Sequence, residues 1–463
     1  MTIRNAILAL ITLFTLGGWA QPSTTNFSRE QVLSDLDYLY QSLEDAHYDL
    51  YAYSSKEELD QAYEKVKSKI SNDSLNLLQA TSLLQQFVSR VNNGHTEIFF
   101  PIQSYLEYAQ SGGTLFPLEL AFEDNKAMVR KNWSDKKIPI GSIVSCINGM
   151  SMEEILELMT PQVSAERPYF KLTKMEFFSF PRLYWQVFGE HPNFEVKIKS
   201  RTGERTYHLT AIDLMDEYEL KREEVLNASM QLKFYETTAY LNPGNFSGDE
   251  PQYRQFIDSA MQSILTHQSS SLIIDLRNNQ GGDNSFSDYL VSYIADKPFR
   301  WNSCFQLKSS ELLKQKIAQK EQLSSFDHAI MNQESGQKFS YSFDPVQPKK
   351  AEDRFTGPVY VLVNRHSHSQ SAVTAAQIQD YNWGTIVGEE TGDYPTLYAS
   401  VFRFNLPETG IEVQVPKGQI VRVNGSTKEE GVIPDIQIQD HLLDEEDEIL
   451  NGLLDRLSSS EGQ

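Results

Sequence analysis

Cysteine is almost missing from this 463-residue sequence, which holds only Cys146 and Cys304. Two cysteines in a chain of this size make no disulfide framework. Cys146 lies in the apolar run Ser142-Ile143-Val144-Ser145-Cys146-Ile147, where a small buried hydrophobe is the expected role, and catalytic thiol chemistry has little support. Positive charge is also in deficit: 41 Lys and Arg against 63 Asp and Glu leave a net charge of −22. Phosphate binding needs clustered cations, so nucleic acid is excluded as a partner, and the charge bears on solubility rather than fold. No cluster has metal-ligand spacing, so neither a metal nor another cofactor is expected. Low-complexity segments are absent, while 25 Phe and 22 Tyr suffice for packed cores.

Long apolar runs are confined to the start. Arg4, the run Ala6 to Leu16 and the small-residue context Gly18-Trp19-Ala20 read as a signal peptide over residues 1–20. The run falls short of the roughly 20 residues that span a bilayer, which argues against an N-terminal anchor. No Cys near Ala20 offers a lipid attachment point. A secreted or periplasmic protein without a membrane span after cleavage is expected; nothing sets its oligomeric state.

The length predicts more than one core. Residues 21–100 read as a small helical bundle. Ser28 and Gln31 have capping-box spacing ahead of Leu33, Leu36, Leu39 and Leu43; Ser55 with Glu58 opens a second helix, and Ser74 leads into a third. Residues 101–212 read as a β-rich module, with alternation at Leu118, Leu120 and Phe122, a hairpin turn at Asn148-Gly149 and a helix over 152–159. Residues 213–440 read as α/β. Leu272 to Leu276 and Val359 to Val363 are continuous apolar runs suited to strands covered on both faces, and helical segments alternate with them. Residues 441–463 read as an acidic amphipathic helix and tail.

Chemistry concentrates in "VYVLVNRHSHSQSAVTAAQIQDY", a strand, a polar turn and a helix. Serine hydrolysis needs a hydroxyl presented at such a turn, a base within hydrogen-bond reach and donors for the oxyanion. Spacing alone leaves Ser367, Ser369 and Ser371 open, since any of them could cap the helix. Gly281-Gly282 opens a helix after the Asp275 strand and permits close backbone approach. Asp275 and Arg277 read as structural.

Four separated motifs then resemble those of the tail-specific/tricorn-type serine peptidases: "NNGHTEIFF", "LIIDLRNNQGGD", "VLVNRHSHSQSA", and "IVGEETGD" with "EEGVIPDI". They occur in that family's order. The resemblance implies a multidomain α/β fold: a helical bundle, a PDZ-like module and a ClpP/crotonase-like α/β catalytic domain. It also implies hydrolysis of peptide bonds in protein or peptide substrates. It selects Ser369 as nucleophile, with Ala372 where the family carries Glu. The branch with a catalytic lysine past the serine does not fit, because Glu390-Thr391-Gly392-Asp393 occupies that stretch and no Lys lies between Ser369 and Lys417. The tricorn-like branch implies His95 as general base, a role suited to an ordinary pKa of about 6.5. His366 and His368 are the alternatives. Glu429 or Glu430, ahead of Gly431-Val432-Ile433-Pro434-Asp435, is implied as the acid that orients the base. The N–H groups of Gly281 or Gly282 and of Gln370 are the expected oxyanion donors. A PDZ-like module would bind a chain end by strand addition, but no glycine-rich carboxylate loop precedes Leu118. The missing Glu and Gly94 ahead of His95 leave a second expectation, an inactive relative that binds a ligand or peptide in the cleft.

Overall fold

A computed structural model describes residues 26–201, 203–222 and 229–461. The signal-peptide reading lies outside the described residues, and among them no helix is long and apolar enough to cross a membrane.

The N-terminal part holds β1 (Asn26–Ser28), α1 (Arg29–Ala46), α2 (Lys56–Lys69), β2 (Ser74–Asn76) and α3 (Leu77–Val88). Capping boxes at Ser28/Gln31 and Ser55/Glu58 start the first two helices, each satisfying otherwise orphaned helix N–H groups. The third helix follows Ser74 as read. Its cap is Asn76 with Gln79, because Ser74 pairs with Ser28 in the β1–β2 ladder and is held extended. These helices bury Leu36, Leu39, Leu43 and Leu84, and share one core with Phe404, Leu406, Val413 and Val415 from the far end of the chain.

After the short strand β3 (Glu97–Ile98), the β-rich part contains β4 (Leu118–Glu123), β5 (Lys126–Asn132), β6 (Ile143–Ile147), α4 (Met152–Met159), α5 (Pro168–Phe178), α6 (Phe180–Phe188), β7 (Asn193–Ser200) and β8 (Gly203–Thr210). The sheet order is β8-β7-β6-β5-β4. Asn148 and Gly149 take positive φ of 51° and 83°, the turn their sequence predicts. Cys146 is half-buried rather than buried, because the β6–β7 register shifts between Val144 and Cys146 and takes the side chain off the core face. β4 lies at the sheet edge yet is buried along its whole length, and Glu176 Oε1 accepts the Phe122 N–H.

The remaining elements are β9 (Gln231–Tyr235), β10 (Thr238–Asn242), α7 (Glu250–Thr266), β11 (Ser271–Asp275), α8 (Asn284–Val291), β12 (Cys304–Lys308), β13 (Val359–Val363), α9 (Gln370–Asp380), β14 (Thr385–Gly388), β15 (Leu397–Asn405), β16 (Glu412–Val421), β17 (Ile436–Gln437) and α10 (Glu448–Glu461). The central sheet runs β9-β10-β11-β13-β14-β17 and is parallel apart from β9. Its apolar runs follow from two covered faces. Leu272, Ile274, Val359, Val361 and Val363 face one core, which α7, α8 and α9 cover, while Ile273 and Leu362 face Ile449, Leu450 and Leu453 of α10. The C-terminal helix is therefore part of the sheet's packing, tethered by Arg277, which bonds both Asp275 and Asp447. Tyr240 donates to the same Asp275 at 2.6 Å, which gives this acid the structural role its sequence suggests.

Candidate active site

Ser369 sits where β13 passes into α9. Its φ of 53° and ψ of −122° are rare for a residue with a Cβ and cost of order 1–3 kcal/mol. Such strain persists only where the surroundings enforce it, and here the neighbouring serines do so. Ser367 Oγ donates to Leu276 O at 2.8 Å and accepts the Asn364 N–H, and Ser371 Oγ donates to the same carbonyl at 3.3 Å. Both hydroxyls tie the turn to the end of β11. Of the three, only Ser369 Oγ faces His95, 3.0 Å from its Nε2.

His95 reaches that place by a long route. Asn92 closes the turn after α3 in the left-handed region at φ 52°. The Asn93 side chain accepts the His95 N–H and the Thr96 hydroxyl, and Thr96 in turn meets His47 Nε2 at 2.9 Å. β3 then joins β16 through Ile98–Val413 and Glu97–Gln414 pairing. The β15–β16 hairpin packs Leu397, Ala399 and Ile420 against Val373 of α9. One hairpin thus carries the histidine loop to the helix that presents the serine.

Burial, with the Lys174 ammonium, holds His95 down to about 3, so the imidazole is neutral and its Nε2 can accept a proton. Lys174 donates to Gly94 O at 2.7 Å and Ser164 O at 3.1 Å and pairs with Glu97. His95 Nδ1 is buried without a hydrogen-bond partner among the described residues.

The expected orienting acids lie elsewhere. Glu430 pairs with exposed Lys428 at 3.5 Å, Glu429 is exposed, and neither bonds His95 among the described residues. They sit on a loop that Glu390 holds instead, accepting the Gly431 N–H and pairing with Arg167. Two carboxyls that the resemblance did not single out stand nearer. Glu166 Oε1 accepts the N–H of Gly94 at 2.7 Å and the Asn93 amide at 3.1 Å. Asp393 Oδ2 accepts the Ser369 N–H at 2.9 Å and lies 3.3 Å from His368 Nε2. Burial raises both carboxyls, and Glu166 raises Asp393 further. A signal for Asp393 existed: it stands in the stretch that corresponds to the lysine of the other branch.

The two alternative histidines part ways. His366 is buried 3.0 Å from Glu176 Oε2, away from the serine. The His368 ring stacks on that of His95, centroids 5.0 Å apart and planes at 19°.

Gly281 cannot serve as an oxyanion donor as expected, because its N–H is engaged by Asn279 Oδ1 at 2.8 Å. Its role is space: at φ +79°, an added Cβ would lie 2.7 Å from Gln370 N and 2.9 Å from the Ser369 Cβ. A Cβ on Gly282 would strike Phe246 O at 1.9 Å. The N–H groups of Gly282 and Gln370 make no hydrogen bond among the described residues, and Gln370 heads a helix whose dipole favours negative charge there.

Comparison with known proteins adds to this geometry. The tail-specific protease of Haemophilus influenzae is 36% identical over 91 residues, which are 19% of this chain and 13% of that protein. Among solved structures, mature CPAF complexed with lactacystin is similar at a TM-score of 0.63 and 14% identity, over 88% of this chain and 94% of that one. Mature CPAF alone is similar at 0.60 and 14%, over 88% and 92%. At such identity the likeness concerns the fold, a mixed α/β arrangement of helices and several sheets. Residues 237–438, most of the α/β part of the chain, match the model of peptidase family S41.

Proposed function

We propose that the protein is a serine peptidase in which Ser369 is the nucleophile and His95 the general base. The observation that carries this reading is the 3.0 Å contact between His95 Nε2 and the Oγ of a serine in a strained backbone conformation. Neutral His95 takes the hydroxyl proton as Oγ attacks the scissile carbonyl carbon, and the N–H groups of Gly282 and Gln370 receive the developing oxyanion. Collapse of the tetrahedral intermediate expels the amine, which takes the proton from His95, and water repeats the sequence on the acyl-enzyme. Substrates are unstructured or C-terminal segments of proteins outside the cytoplasm, in keeping with the sequence of residues 1–20. Residues 21–100, 101–212 and 213–440 act as helical bundle, PDZ-like module and catalytic domain. Strand addition at β4 is disfavoured by the burial of that edge.

The orphaned His95 Nδ1 favours one other reading, an inactive relative that binds peptide or ligand in the same cleft. A fluorophosphonate probe separates the two, since only an activated serine reacts. Labelling mapped to Ser369 and lost in Ser369→Ala is expected. Labelling that maps to Ser367 or Ser371, or that survives Ser369→Ala, overturns the assignment; none in the wild type leaves the binder.

A further inference from the structure

We propose that the cleft is also a divalent-metal site, formed by His95, His368 and Asp393, and that a bound zinc ion switches the serine off. One ring nitrogen of each imidazole and one Asp393 oxygen lie within 4.8 Å of one another. Zinc bonds to nitrogen and oxygen of about 2.0–2.1 Å place tetrahedral ligand atoms roughly 3.3 Å apart. The His368–Asp393 pair already stands at 3.3 Å, so only His95 has to draw in. Two orphaned atoms point the same way. His95 Nδ1 and His368 Nε2 are both buried without a hydrogen bond among the described residues, a costly state that coordination would relieve. The nearby Lys174 ammonium is matched by Glu97 and by two carbonyls, so it leaves the Asp393 carboxylate available to a cation. Two imidazoles and one carboxylate suit zinc and cobalt rather than magnesium or calcium, which prefer all-oxygen shells.

The consequence for chemistry does not depend on which His95 nitrogen binds. A neutral imidazole has one lone-pair nitrogen. If Nε2 binds the metal, the acceptor facing Ser369 is occupied. If Nδ1 binds it, the ring proton resides on Nε2, which then donates and cannot take the Ser369 proton. Metal and serine compete for a single lone pair.

This inference rests on the pairing of Ser369 with His95 proposed above, and its test separates the two. Cobalt(II) is titrated into the metal-free full chain and followed by its visible d–d bands, which need no turnover. Zinc is titrated separately against fluorophosphonate labelling. Bands that saturate at one equivalent, and labelling suppressed by zinc and restored by a chelator, are expected. His368→Phe keeps a ring against His95 while removing a ligand. It should lose the bands, and its labelling, relative to its own metal-free rate, should need about 100-fold more zinc for the same suppression. If His368→Phe does not fold, Asp393→Asn, read by the same bands, decides in its place. A wild type that labels but shows neither bands nor zinc suppression overturns the metal site, as do bands that persist in the ligand variants. A wild type that never labels overturns the peptidase reading instead, and the cobalt spectrum still decides the site.

Discussion

The pH dependence of labelling at Ser369 tests the account of His95 directly. Only the neutral imidazole can accept the serine proton, so the rate follows the unprotonated fraction of His95. An imidazole at the ordinary value of about 6.5 would be about 97% protonated at pH 5, and labelling would fall about thirtyfold from its value at pH 8. His95 is held down to about 3 by burial and Lys174, which leaves about 1% protonated at pH 5 and predicts no more than a small loss. The sign follows from the direction of the shift: a lowered value extends the active form to lower pH. The assay is the second-order labelling rate between pH 4.5 and 8, with folding followed by circular dichroism at each point. Asp393, raised to about 8 by burial and by Glu166, takes up a proton in this window as well. The same profile is therefore taken in Asp393→Asn, which is uncharged throughout. A tenfold fall per pH unit below about 6.5, present in both proteins while the fold is intact, would refute the claim that burial keeps His95 neutral.

Three further outcomes follow from the geometry. Gly281→Ala places a Cβ 2.7 Å from Gln370 N at φ +79°; strain of about 1–2 kcal/mol and overpacking of about 1–3 kcal/mol should lower stability by about 2–5 kcal/mol in denaturant melts and displace the serine enough to slow labelling. Glu429→Gln and Glu430→Gln should leave the labelling rate within about twofold, because the Lys428–Glu430 pair is exposed and neither acid bonds His95; a loss of orders of magnitude would restore one of them as the orienting acid. Arg277→Met leaves Asp275 and Asp447 without their shared cation and should destabilise by about 3–5 kcal/mol, with earlier hydrogen exchange in α10 than elsewhere; unchanged exchange there would mean that apolar contacts alone hold the helix.

Much of the local structure was legible before folding, because its causes are local. The capping residues at Ser28 and Ser55 satisfy helix N–H groups within one turn, and Asn148-Gly149 adopts its turn by conformational preference alone. The apolar runs at 272–276 and 359–363 announced strands covered on both faces, and the resemblance of four motifs brought Ser369 and His95 together as expectations. That Asn76 rather than Ser74 caps the third helix was not legible, because Ser74 is held extended by a strand 46 residues earlier, at Ser28. The choice among Ser367, Ser369 and Ser371 was equally invisible to spacing. It depends on the Leu276 carbonyl, which occupies two of the three hydroxyls and lies just past the end of a different strand. The Gly281 N–H was lost as a donor to Asn279, and Glu429 and Glu430 were carried away from His95 by the Glu390–Arg167 contact. The elements, and the residue types able to do chemistry, follow from side-chain chemistry over a few residues. Which hydroxyl faces the imidazole, which carboxyls stand beside it and how neutral it is depend on the folded chain, because burial and hydrogen-bond competition are set by distant neighbours such as Ser369, 274 residues from His95.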